Sequence, residues 1–349
     1  MFNARPDTTR RRILGASAAL LALPAVGSRL VGPAQAAAPT LGPARPTHYR
    51  FQLGGFEITT LLDAGAMLDG PWPVVGEDQP AAAVHELMHA NLLPETRFQP
   101  GFTPALVNTG KQLILFDTGN GADGFVPPPE GGWLARMLAP AGYTPEQIDV
   151  VVLTHGHIDH IGGMLHDGRP AFPNARYVMG AKEFEFWAAT EDRLRAPEGD
   201  VEHLSGRLFA THVAPFAEKM RFIKPGDEVV PGIHAIEAYG HTPGHLAFHI
   251  ESLGQRLLLW GDCAHHEVAS LARPEWHALF DRDKAQGART RKRIYAMAAQ
   301  ERIPVIGYHT SFPSVGFVAP QAGGYRWIPV SYQLDAAKAE AKESAPPTA

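Results

Sequence analysis

Three imidazoles and a carboxylate crowd into Thr154-His155-Gly156-His157-Ile158-Asp159-His160, directly after the apolar run Val150-Val151-Val152-Leu153. The run reads as a buried strand and the polar stretch as the turn leaving it. His155 and His157, two apart in an extended segment, face one side. Asp159 and His160 lie past the turn and point toward a neighbouring position. This donor set suits zinc or another borderline divalent ion. One ion cannot readily use all four groups, so the spacing predicts two adjacent ions. A polar turn with stacked histidines is the bland alternative, and core packing does not ask for such a cluster.

Further donors follow at strand ends. Gly240-His241-Thr242-Pro243-Gly244-His245 precedes an apolar run, Asp262 closes Leu257-Leu258-Leu259-Trp260-Gly261-Asp262, and His309 closes Pro304-Val305-Ile306-Gly307-Tyr308-His309. Each alone is weak; in this order, after the first cluster, they reinforce one another. Cys263 is the sole cysteine, which excludes an intramolecular disulfide framework and a Cys-rich zinc module. With 45% hydrophobic and 19% charged residues, the chain is not a solvated disordered one. A net charge of −5 argues against nucleic acid as the main partner, and no basic stripe contradicts it.

The rest of the sequence gives the organisation. Residues 1–36 resemble a twin-arginine export signal: Thr9-Arg10-Arg11-Arg12-Ile13-Leu14-Gly15, an apolar run too short to span a bilayer, and the cleavage pattern Ala34-Gln35-Ala36. The expected location is therefore periplasmic. A linker is expected over 37–47, one catalytic domain over 48–335 and a disordered tail over 336–349. Strands are expected at Tyr49–Leu62 (a hairpin around Gly54-Gly55), Ala105–Asn108, Gln112–Phe116, Asp149–Leu153, Tyr177–Met179, Ile233–Glu237, Leu246–Ile250 and Arg256–Trp260, with Pro304–Tyr308 the last core strand. Helices are expected at Ala81–Asn91, Trp133–Ala139, Lys182–Ala189, Val201–Phe216 and Asp283–Gln300. Strands then helices, twice over, indicate an α+β or layered αββα fold with two related halves. The irregular segment 64–102 has the length of a functional loop. The mature sequence contains no membrane span.

In these motifs the chain resembles the metallo-β-lactamase superfamily, over roughly residues 48–335. The closer resemblance is to the methyl parathion hydrolase group, through Leu53-Gly54-Gly55-Phe56-Glu57-Ile58-Thr59, Gly240–His245, His309-Thr310-Ser311-Phe312-Pro313 and Gly324-Tyr325-Arg326-Trp327-Ile328-Pro329-Val330. The resemblance implies a four-layer αββα sandwich with a dinuclear site between the sheets. It implies His155, His157 and His245 on the first ion, Asp159, His160 and His309 on the second, and Asp262 bridging them with an attacking hydroxide. Asp262 and Asp159 would be the catalytic carboxylates. Asp117, His241 and Thr154 would orient the imidazoles, and Phe125, Trp187 and Phe209 would flank the substrate. The ions would be zinc, with manganese, cobalt or iron accepted by the same donors. Relatives imply a homodimer and a small-molecule substrate.

Cys263-Ala264-His265-His266 depart from the aliphatic residues of the parathion-type enzymes. Cys263 is read as a small buried hydrophobe, while His265 and His266 stand near the ions, with His265 assigned to the pocket. The leading reading is hydrolysis of phosphotriesters, lactones or aryl esters, with an acyl-homoserine lactonase as the alternative. A mononuclear-iron persulfide dioxygenase is opposed by the complete second donor set, as is a non-catalytic metal-binding protein. A true β-lactamase is opposed by Asp262, which stands where the common zinc β-lactamases carry a cysteine.

Overall fold

A computed structural model describes residue 40 and residues 44–331. The expected export signal and the whole of the expected tail lie outside these residues. The domain described here begins at Arg45.

Val150–Leu153 is buried along its whole length and has parallel neighbours on both sides, Leu113–Phe116 and Arg176–Gly180. A central parallel strand is covered on both faces, so its apolar run is continuous rather than alternating. The sheet runs His48–Leu53, Phe56–Leu61, Ala105–Asn108, Leu113–Phe116, Val150–Leu153, Arg176–Gly180, Met220–Ile223. Side chains alternate across it with the two-residue period of a strand. Ile114, Phe116, Val150, Val152 and Val178 face one layer. Leu115, Val151, Leu153, Tyr177 and Met179 face another, shared with Leu138, Trp187, Leu208 and Phe209 of three covering helices.

The second sheet repeats this logic. Its order is Glu228–Val230, Ile233–Glu237, Leu246–Ser252, Gln255–Leu259, Val305–Ile306, Val315–Gln321, Gly324–Pro329. Phe248, Ile250, Leu257 and Leu259 enter the layer shared with the first sheet. Ala247, Leu258 and Val305 instead meet Ile294, Tyr295 and Ala298 of the helix Lys284–Glu301. Two sheets pack face to face with helices outside, which is the expected αββα sandwich. The helix Lys284–Glu301 is the crossover between the parallel strands Gln255–Leu259 and Val305–Ile306. It starts at Asp283, whose carboxylate accepts the Gln286 N–H.

Two expectations are corrected. Val305–Ile306 is not the last core strand, because Val315–Gln321 and Gly324–Pro329 form an antiparallel hairpin at the sheet edge. Pro320 and Pro329 obscure these strands, yet an edge position tolerates a missing N–H. The helix over Val201–Phe216 stops at His212 and continues as a 3₁₀ segment, Ala214–Lys219. Pro215 lacks the N–H that an α-helix would use and disfavours helical geometry at Ala214.

The segment 64–102 is ordered by a short ladder, Leu68–Asp69 against Arg97–Phe98, and by the helix Ala81–Ala90. Val84 and Met88 of that helix pack with Ala269 and Trp276. Among the described residues, no helix is long and apolar enough to cross a membrane.

Candidate metal centre and its cavity

The donors lie beyond strand ends of both sheets. Val150–Leu153 delivers Thr154 and His155, and His157 caps the short helix Ile158–Ile161 that presents Asp159 and His160. Asp262 follows Gln255–Leu259, and His309 follows Val305–Ile306. The side chains gather into one group of His241, His265 and Asp281 and two that flank Asp262: His155, His157, His241 and Asp262, and Asp159, His160 and His309. Asp262 faces both. Its Oδ2 is 3.3 Å from His241 Nε2 and 3.0 Å from His309 Nε2, and its Oδ1 is 3.1 Å from His160 Nε2.

Four of these imidazoles have a fixed partner at the outer ring nitrogen. His160 Nδ1–H donates to Asp117 Oδ2 at 2.9 Å, His241 Nδ1–H to Asp281 Oδ1 at 3.1 Å and His309 Nδ1–H to the Gly101 carbonyl at 2.8 Å. Thr154 Oγ1 donates to Asp117 at 2.8 Å, so it accepts from His155 Nδ1–H at 3.0 Å. These bonds set the tautomers and leave four Nε2 lone pairs directed inward. His155 Nε2 then lies 3.1 Å from His157 Nδ1 and 3.2 Å from His241 Nε2. His160 Nε2 and Asp262 Oδ1 are buried with no hydrogen-bond partner. Lone pairs and carboxylate oxygens this close call for positive charge between them, as protons or as metal ions, and nitrogen plus carboxylate donors suit divalent ions.

The electrostatics agree. Burial alone would lower His241, but hydrogen bonds to Asp262 and Asp281 raise it to about 9. His160 and His309 also rise against burial, chiefly through Asp262. Asp262 falls well below the usual carboxylate range despite burial, because His309 and His160 face it. Without ions the carboxylates draw protons onto the imidazoles; metal binding displaces such protons.

The structure corrects the assignment of His245. Its Nδ1–H donates to the Ala238 carbonyl at 2.9 Å, and its Nε2 accepts the Asp262 N–H at 3.2 Å. Both nitrogens are committed outside the donor groups, and burial pushes the ring down to about 3. The neutral ring supports the backbone of Asp262, while His241 enters the first donor group. Gly261 permits this contact: its φ is +55°, and a Cβ there would strike the His245 ring.

Asp117 and Thr154 stand where expected. Asp117 also accepts the Thr154 N–H at 2.8 Å, and burial raises its carboxyl even though His160 opposes the shift. Two supporting acids escaped the sequence reading. Asp281 holds His241 on one side and pairs with the buried Arg291 guanidinium on the other. Glu183, on the helix Ala181–Ala188, is fully buried beside the His155–His157 turn. Both are single acids remote in sequence from the motif, so no spacing marks them. Tyr308 stacks on His160 with ring centroids 3.9 Å apart, and its hydroxyl donates to the Asp159 carbonyl at 2.6 Å.

A cavity of about 260 Å³ opens onto the donors, walled by Leu68, Val74, Phe98, Phe102, Phe125 and Phe280. His265 also lines it, both ring nitrogens buried without a hydrogen bond and its Nε2 3.8 Å from Asp262 Oδ2. Among the described residues, no Lys or Arg lines it. Of the expected aromatic trio, only Phe125 belongs to this wall. Phe209 lies in the core beneath the helices covering the first sheet. Trp187 is buried below the site, edge-on to His157 at 5.7 Å, with its indole N–H donated to Glu183. Phe98, Phe102 and Phe280 come from irregular segments with no periodicity to reveal them. Cys263 is buried beside Trp260 and Leu271, and burial pushes its thiol up. His266 Nδ1 accepts the Val268 and Ala269 N–H groups, which makes it a turn cap.

The family profile described as the metallo-beta-lactamase superfamily matches residues 104–302. A probable metallo-hydrolase of Mycobacterium bovis is 30% identical over 181 residues, covering 46% of this chain and 56% of that protein. The chain thus spans little more than half the length of the curated relatives it matches. The solved structure of AidC, a dizinc quorum-quenching lactonase in complex with a product, N-hexanoyl-L-homoserine, superposes with TM-score 0.75 at 26% identity, covering 82% of this chain and 98% of that one. The hydrolase AbOPH, of the beta-lactamase superfamily, gives TM-score 0.74 at 29% identity, covering 83% and 99%.

Proposed function

The chain belongs to the metallo-β-lactamase superfamily, and on that premise we propose that it is a dinuclear metallohydrolase of neutral, apolar esters, with acyl lactones as the first substrate class. One observation carries this reading: Asp262 faces two donor groups at the end of an apolar cavity that, among the described residues, no Lys or Arg lines. His155, His157 and His241 would hold one ion, Asp159, His160 and His309 the other, and Asp262 both. When bound, the pair supplies a water activated at neutral pH and polarises the scissile carbonyl or phosphoryl oxygen. Zinc suits these donors, as in the dizinc lactonase above.

The protein's own contribution is placement. The phenylalanine wall binds an apolar acyl chain and keeps bulk water from the reacting carbon. Asp159 and Asp262 border both the donor groups and the cavity, so they are the carboxylates positioned to pass a proton to a poor leaving group. A substrate carrying its own carboxylate, such as a β-lactam, finds no cationic partner on this wall.

The test is the kcat/KM of the zinc-loaded enzyme for an acyl-homoserine lactone against that for an aryl phosphotriester. The lactone should lead, and chelation should abolish turnover. The second reading is phosphotriester hydrolysis as in the parathion-type enzymes, favoured by the four phenylalanine rings around the cavity; a ratio reversed in favour of the phosphotriester would establish it. Bound iron with oxygen uptake would overturn both. Periplasmic export belongs to the same reading, and cell fractionation of the tagged full chain would refute it by finding the protein unprocessed in the cytoplasm.

A further inference from the structure

Glu183 is a buried acid that accepts four hydrogen bonds and has no Lys or Arg ion pair among the described residues. Its Oε1 accepts the Gly156 N–H at 2.9 Å and the Trp187 indole N–H at 2.6 Å. Its Oε2 accepts the Thr242 hydroxyl at 2.7 Å and the Gly244 N–H at 2.8 Å. Gly156 separates His155 from His157, and Thr242 follows His241 directly. One carboxyl therefore ties together the two turns that carry all three imidazoles of the first group. The approach is close enough to demand glycine: a Cβ on Gly244 would strike the Glu183 backbone, and one on Gly156 would strike the Trp187 ring.

Three of the four donors are N–H groups, which only donate. Burial pushes the carboxyl pKa up, and the four donors oppose that shift. A hydrogen-bonded carboxylate in the interior calls for a counter-charge. The turns that Glu183 holds frame the space between His155, His157 and His241, where a cation would supply one.

We propose that Glu183 is a positioning residue for one ion only: it locks the two turns in register and supplies the negative charge that balances the ion held by His155, His157 and His241. The inference rests on the dinuclear reading above. It differs from a general structural role because three of the four bonds reach the turns of the first group and none reaches the second, the fourth going to Trp187 on the same helix. His160 and His309 are braced instead by Asp117 and Gly101.

The test uses the full-length protein, titrated with zinc against a competing chelator, for wild type, Glu183→Gln and Thr242→Val. Glu183→Gln keeps the shape, removes the charge and turns an amide donor toward existing donors. It should weaken one of the two zinc-binding steps by roughly 10–100-fold, the usual effect of removing an orienting partner, and leave the other within a factor of about two. Thr242→Val, which deletes one bond and touches no donor to the ion, should weaken the same step by less. With cobalt in place of zinc, the visible bands of one ion should shift in Glu183→Gln while those of the other persist. Equal weakening of both steps would overturn the proposal, as would unchanged affinities with only a lower Tm. A wild type that binds a single ion would instead refute the dinuclear reading.

Discussion

Removing Asp281 should produce two losses that different measurements separate. Asp281 and Arg291 are each about 97% buried at their side chains or more. Arg291 also donates to the Trp276 carbonyl at 2.6 Å. Asp281→Ala strands the guanidinium without its carboxylate, and breaking a buried pair from one side costs about 3–5 kcal/mol. At about 2 °C per kcal/mol for a large domain, the Tm of chelated protein should fall by about 6–10 °C. His241 simultaneously loses the acceptor that fixes its Nδ1–H, which should cost roughly 10–100-fold in zinc affinity, or about 1.4–2.8 kcal/mol. The double variant Asp281→Ala/Arg291→Met strands no charge. It should regain more than half of the lost Tm in chelator yet keep the full affinity loss. Circular dichroism melts with and without chelator, paired with zinc competition, give both numbers. A double variant that melts below the single one, or a single variant with wild-type zinc affinity, would refute the reasoning.

Other consequences are open to measurement. His241→Ala should reduce bound zinc from two ions to one per chain by elemental analysis, whereas His245→Ala should retain two with weaker binding; the opposite pattern would restore His245 to the donor set. Phe102 is buried, with its ring edge-on to His309 at 5.2 Å, so Phe102→Ala should destabilise the fold by about 3–5 kcal/mol and raise KM for a long acyl chain more than it lowers kcat. Zinc at a hundred times its dissociation constant should stabilise the chelated protein by about 2.7 kcal/mol per ion, and an unchanged melt on zinc addition would exclude tight sites in the folded state.

The sequence exposed the centre where its donors were contiguous. His155 to His160 follow an unbroken apolar strand, and their spacing alone marked a metal site. His241 and His245 were harder to tell apart, because both sit in one glycine-bounded turn and strand periodicity does not determine which ring turns inward. The decision depends on what each outer nitrogen finds: Asp281 for His241, and the Ala238 carbonyl and Asp262 N–H for His245. Glu183, Asp281 and Arg291 are single residues whose partners lie tens of positions away, so only the folded chain brings them together. The layered architecture was legible from runs such as Val150–Leu153. The edge hairpin was not, because its prolines read as loop. Phe209 and Trp187 were misplaced for a related reason: an aromatic residue on an amphipathic helix looks the same whether it faces a core or a pocket.

Ligands for both ions are drawn from both sheets. Those near Val150–Leu153 come from the first, while His241, Asp262 and His309 come from the second. A nascent chain that has made only the first sheet holds two of the four donors for the first ion and lacks His309 for the second. On the dinuclear reading, full occupancy would therefore arrive only after the last parallel strand has docked. Two ions held there would rivet one sheet to the other, so sliding of the layers would register first as a loss of metal.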